Sequence, residues 1–192
     1  MSQLNTLPIL EFKTVQSFET WLEKHHANSL GFWLKIAKKD SGKKSINYAQ
    51  ALEVALCYGW IDGQKNAYDE QAYLQKFCPR REKSNWSKIN CGHVERLIQE
   101  GRMRPAGLIA VEKAKADGRW EKAYDSPSKM TIPDDFLKEL KKNKRAKEFF
   151  KGLNKTNLFF IGFQLQTAKK QETREKRMKE IIKKLEKGEK FQ

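Results

Sequence analysis

The sequence predicts an α+β protein: a small antiparallel sheet packed with helices, followed by a basic all-helical C-terminal part. Three observations predict it. Three short runs between positions 31 and 77 read as strands, while the rest of the apolar residues recur at helical spacing. Polar and glycine-rich turns separate those runs where a sheet needs them. The charge is also lopsided. The net is +15 over 192 residues, and residues 138–192 alone hold 18 Lys and Arg against 7 Asp and Glu. Residues 1–137 hold 21 against 17.

In "VQSFETWLEKHH" (15–26), Val15, Phe18, Trp21 and Leu22 share a helical stripe, with Ser17 as a candidate cap. "GFWLKIAKK" (31–39) alternates, placing Phe32, Leu34 and Ile36 opposite Trp33, Lys35 and Ala37, which is a strand pattern. After the turn "DSGKK", residues 47–59 form a strong helix. Asn47 with Gln50 three residues on is a capping box, and Gly59 supplies the stop. Tyr48, Leu52, Ala55 and Leu56 make its expected core stripe. Trp60–Gln64 and Tyr73–Phe77 complete the sheet, and Pro79 ends the last strand because it cannot continue a ladder.

From there the pattern is helical. Residues 90–101 carry Val94, Leu97 and Ile98 on one stripe, with Asn90 as cap. Residues 104–118 have Pro105 in the first turn and Gly118 past the end. Residues 132–143 begin with Pro133 and two acids, which suit the positive end of a helix. Helices over 145–153, 157–168 and 172–188 follow, the last with Met178, Ile181, Ile182 and Leu185 as its seam. Patterning pauses at 121–131, so the expected division is an α+β domain over 1–125 and a basic helical region over 126–192.

Several chemistries find no support. Three cysteines, Cys57, Cys78 and Cys91, are too few and too scattered for a disulfide framework. Cys91 and His93 have no second pair at zinc spacing. Glycine-rich phosphate loops, nucleophile elbows and dinucleotide fingerprints are missing, so no cofactor, metal or catalytic residue is expected. The first residues lack signal-peptide character, and no apolar run approaches the ~18 residues of a membrane span, so the expected location is the cytoplasm.

The densest mixture of polar chemistry lies in "IDGQKNAYDEQAYLQKFCPRREKSNWSKIN" (61–90) with Trp60 before it. Asp62 needs a partner, and Arg80 or Arg81 could provide one. One reading is a self-satisfied corner that fixes the sheet to the next helix. The other is an anion-accepting pocket. Arg80, Arg81, Ser84, Ser87 and Asn90 would line it, Trp60 and Trp86 would wall it, and Asp62 would stand beside it. Separately, Lys169, Lys170, Arg174, Arg177 and Lys184 could meet nucleic-acid phosphates if they share a helix face.

The motifs "GFWLKIAKK", "ALCYGWIDG", "FCPRREKSNWSKIN", "GRMRPAGLIAVEKAKADGRW" and "TAKKQETREKRMKEIIKKLEKGEKF" occur in order over residues 15–188. In them the chain resembles the YdeI/OmpD-associated family, also described as bacteriocin-protection proteins. The resemblance implies a small bacterial protein with no established activity or cofactor, and it brings no catalytic residues. It also implies protection against bacteriocins or cationic peptides. A chain at +15 would repel such peptides unless acids such as Asp62, Asp69 and Glu70 received them. The leading expectation is a non-enzymatic stress or bacteriocin-protection protein that binds a small anionic ligand or an acidic protein partner. Nucleic-acid binding through the C-terminal helices and an enzyme using the Asp62/Arg80 corner are the alternatives.

Overall fold

The computed structural model describes residues 7–191. The chain divides into two compact units. The first comprises the residues up to Ser84 together with Asn90–Glu121, and the second comprises Asn85–Ile89 with the chain from Lys122 onward.

In the first unit, β1 (Ile9–Leu10) leads into α1 (Val15–His25) and β2 (Phe32–Ala37). These are followed by α2 (Tyr48–Cys57), β3 (Trp60–Ala67) and β4 (Ala72–Pro79). The sheet runs β1-β2-β4-β3. β4 is antiparallel to both neighbours, pairing Phe77 with Phe32 on one side and Pro79 with Trp60 on the other. β1 joins β2 in parallel through Ile9–Trp33 and Leu10–Leu34, so the sheet is mixed rather than purely antiparallel. Two residues carry no periodicity, so the sequence gives no sign of this strand. The β3–β4 ladder slips between Asp62 and Lys65. There the buried Gln75 side chain donates Nε2–H to the carbonyls of Gly63 (2.9 Å) and Gln64 (3.3 Å), replacing ladder bonds that the bulge removes.

One sheet face builds an aromatic core. Phe32 lies 5.7 Å from Phe18 and 5.8 Å from Trp60, ring centre to ring centre, and 6.2 Å from Phe77. α1 begins in a capping box of Thr14 and Ser17. Ser17 is therefore the third helical residue, not the cap, because Thr14 already accepts its backbone N–H. α2 has the expected Asn47–Gln50 box, and Gly59 at φ +73° turns the chain into β3. Its expected stripe needs one correction: Leu52, Ala55 and Leu56 are buried, but Tyr48 is 37% exposed.

α3 (Lys88–Gln99) starts two residues before the expected cap, so Asn90 is a buried helical residue. Val94 and Leu97 are buried, whereas Ile98 faces solvent at 39%. α4 (Pro105–Ala116) has Pro105 in its first turn, and Gly118 follows at φ +71°. Arg104, just before α4, pairs with Glu19 of α1 at 2.8 Å, and its N–H donates to Cys57 O at 3.1 Å. These contacts hold the start of α4 against α1 and the end of α2.

The second unit packs α5 (Asp134–Leu140), α6 (Lys144–Lys151), α7 (Lys155–Gln166) and α8 (Gln171–Glu186). Phe136, Leu140, Ile161, Ile181 and Leu185 form its core, with Met178 and Ile182 partly buried against it. Asp134 and Asp135 sit in the first turn of α5, as the sequence predicts. Asn143 and Asn154 cap α6 and α7 by accepting N–H groups at 3.0 Å. Among the described residues no helix is long and apolar enough to cross a membrane.

Candidate functional site

The first unit contains a cleft of about 330 Å³, within the range of small-molecule sites. It opens where the α2–β3 turn, the end of β4 and one side of α4 meet. Three backbone approaches set its floor. Arg80 N–H donates to Gly59 O at 3.0 Å. A Cβ on Gly59 would stand 3.0 Å from Ala106 O, and one on Gly107 only 2.2 Å from Cys57 O. The sequence needs glycine at both places because two backbones touch there.

Above the floor the walls are apolar and aromatic. Trp60 is 1% exposed, and its indole N–H is anchored on His26 O at 3.1 Å. Tyr58, Pro79 and the half-exposed Ile109 continue the wall. Four cations stand around it, Arg80, Arg81, Lys113 and Arg119, against the single carboxylate of Glu82. The Lys113–Glu82 pair is long, 3.3 Å, and both partners are well exposed. Such a pair contributes at most about 1 kcal/mol and yields readily to a competing anion.

The arginines differ in freedom. Arg119 is buried and fixed: its Nε–H meets both Asp117 oxygens at 2.7 Å, and an Nη1–H donates to Ser84 O at 2.9 Å. Arg80 Nη1–H donates to Ser84 Oγ at 3.1 Å. Ser84 thereby ties two of the cations to one loop. Arg81 is exposed and, among the described residues, carries no ion pair.

Of the eight residues expected at the site, the cleft gathers Trp60, Arg80 and Arg81, with Ser84 behind them. Asp62 lies further along β3 and accepts the Tyr48 hydroxyl at 2.9 Å, so its partner is Tyr48 rather than Arg80. Tyr48→Phe removes one exposed hydrogen bond and should cost less than about 1 kcal/mol. A urea midpoint corresponding to a loss of about 3 kcal/mol would instead mean a buried charge network at Asp62.

Trp86 and Ser87 belong to the second unit. Trp86 O accepts Tyr124 N–H at 2.9 Å, and Ser87 forms a bridge with Tyr124. Asn90 is buried within α3. Sequence reasoning missed the cleft residues of α4, Arg119, and the flanking His26, Tyr58 and Glu82. The available signal was Gly107 inside a helical pattern, which marks close packing.

The thiols are poor candidates for chemistry. Burial pushes Cys57 and Cys91 up to about 11, and raises Cys78 as well. Among the described residues no cluster of three His, Cys, Asp or Glu side chains could hold a metal ion.

The C-terminal cations expected to meet phosphate are partly engaged. Arg174 grips both oxygens of Asp135. Arg177 donates to Gln164 O at 2.7 Å, and Lys184 lies 5.7 Å from the Phe191 ring centre. Lys169 and Lys170 are exposed.

Residues 10–110 match a family model described as a domain of unknown function, DUF8412. Residues 129–188 match a second, described as "Bacteriocin-protection, YdeI or OmpD-Associated". The chain belongs to the first family, whose model covers more than half its length, and its C-terminal helices are similar to the YdeI/OmpD-associated proteins. The central sequence motifs, from "GFWLKIAKK" to "FCPRREKSNWSKIN", fall in the first match, and the second is confined to the helical region. No curated protein and no solved structure matches the chain.

Proposed function

We propose that the chain is a non-enzymatic protection protein whose first unit binds a small anion with a flat apolar body. The observation that carries this reading is the gathering of Arg80, Arg81 and Lys113 against the single carboxylate of Glu82 around an aromatic wall, with Arg119 answered by Asp117. A carboxylate, sulfonate or phosphate would meet Arg81 and displace Glu82 from Lys113, while the ligand's body lies along Trp60, Tyr58 and Ile109. Arg80 and Arg119 are held in advance by Ser84, so little side-chain freedom is lost when an anion arrives. The protonated thiols support binding rather than covalent chemistry. Nucleic-acid binding has less support, because Arg174 and Arg177 are already engaged within the helical unit.

The test is a titration with a naphthalene sulfonate and with inorganic phosphate, read by fluorescence and calorimetry. The aromatic anion should bind more tightly than phosphate, and added salt should weaken both. Arg81→Ala should weaken the aromatic anion by about tenfold, the loss of one charge-assisted contact. Arg81 is exposed and has no ion pair among the described residues, so the melting temperature should stay nearly constant. Absence of saturable binding by either probe at millimolar concentration, or an Arg81→Ala variant that binds like the parent, sinks the reading.

A further inference from the structure

The second unit has a groove of its own, independent of the cleft. It is about 320 Å³, lies along α5 and α6, and has Leu137, Leu140 and Phe150 as its apolar floor. Leu140 is buried, while Leu137 and Phe150 are only partly covered. Each side carries two lysines one helical turn apart: Lys138 and Lys141 at α5, Lys147 and Lys151 on α6. Among the described residues Lys138, Lys141 and Lys147 have no ion pair, and Lys151 has only an exposed one with Glu148 at 2.7 Å. Asp134, at the start of α5, is the one acid on the rim.

We propose that this groove docks an acidic amphipathic helix of a partner protein. The charge arrangement selects that occupant. A fatty acid carries one carboxylate and would answer only one side of the groove. A second copy of this chain carries +15 and is repelled. A helix with an apolar ridge and acids on both flanks, spaced one turn apart, meets the floor and both lysine pairs together. The ridge would supply the affinity, and the flanking acids the register and the rate of encounter.

The experiment uses the full chain and a fluorescent peptide of about 15 residues, long enough to hold a helix once docked. It carries leucines at helical spacing, with glutamates on both flanks. Binding is read by polarisation. The peptide should bind saturably and weaken with salt. A peptide with lysines for the glutamates, or serines for the leucines, should lose binding without any change to the protein. Lys138→Glu with Lys147→Glu should weaken binding by at least about tenfold, while Lys176→Glu with Lys179→Glu, which changes the charge equally but lies on α8, should not. Phosphatidylglycerol vesicles form the second arm. Vesicles that bind more tightly than the peptide, and are lost in the same double variant, assign the groove to a lipid surface and overturn the proposal. So does an absence of peptide binding at low salt, or equal binding by the parent and the double variant.

Discussion

Gly107→Ala is expected to destabilise the first unit by about 3 kcal/mol, the upper part of the range for forcing a methyl into a packed site. The added Cβ would stand 2.2 Å from Cys57 O, 2.8 Å from Cys57 C and 2.8 Å from the Met103 terminal methyl. Met103 can turn aside, but the Cys57 carbonyl cannot. It closes α2 and already accepts Arg104 N–H at 3.1 Å. The relief available is a retreat of α4, which would pull Ala106 from Gly59 and open one wall of the cleft. The variant should therefore lose both stability, read as the urea midpoint by circular dichroism, and affinity for the aromatic anion. Gly92 is the internal control. It lies within α3, and a Cβ there meets nothing within 4 Å. Gly92→Ala should stabilise by about 0.5–1 kcal/mol, the ordinary gain of alanine over glycine in a helix. A Gly107→Ala variant within about 0.5 kcal/mol of the parent would show that α4 does not press on α2.

Trp60→Ala should cost about 3–5 kcal/mol, as large aromatic truncations in closed cores do. The indole is 1% exposed, lies 5.9 Å from Trp21 and 5.8 Å from Phe32, and pins His26 O through its N–H. Truncation removes that volume where β3 begins, and with it the inner wall of the cleft. Trp60→Phe separates the two contributions. It keeps most of the volume and loses the N–H, so it should cost only about 1–2 kcal/mol. A loss below about 1 kcal/mol for Trp60→Ala, the level of surface changes, would mean that the aromatic cluster is not a closed core.

Local chemistry was legible where one residue type has one physical use. Asn47 with Gln50, Gly59, Pro105 and Gly118 mark helix ends through caps and positive φ, and each stands where the sequence places it. Alternation in 34–37 fits β2, where Leu34 and Ile36 are buried and Lys35 and Ala37 less so, although Trp33 on the second face is buried as well. Pairing across distance was less legible. Nothing within Ile9–Leu10 says that they join β2 in parallel. Tyr48 falls on the apolar stripe of α2, yet its hydroxyl serves Asp62 fourteen residues away. Ser17 and Thr14 are both good caps, and only the backbone geometry chooses between them.

The candidate site was legible only in part, for a related reason. Arg80, Arg81 and Trp60 stand out because basic and aromatic residues crowd one stretch. Lys113 and Ile109 read as an ordinary helix surface until α4 is laid beside the α2–β3 turn. Arg119 reads as one more basic residue in a basic chain, although Asp117 and Ser84 hold it buried. Asp62 meets Tyr48 rather than Arg80 because in the ladder it stands opposite Phe77, whereas Arg80 follows Pro79, which stands opposite Trp60.

The meeting of Cys57 with Gly107 joins residues fifty positions apart, and the cleft has no second wall without it. A chain folded only as far as the four-stranded sheet has Arg80 and Arg81 beside it but neither Lys113 nor Arg119, and nowhere to seat a ligand. If the cleft binds an anion as proposed, completion of the unit and readiness to bind are one event, and recognition is confined to finished molecules. Any ligand of the cleft then acts as a thermodynamic latch on the whole unit, since it rewards the closed arrangement of α2 and α4 and no earlier one.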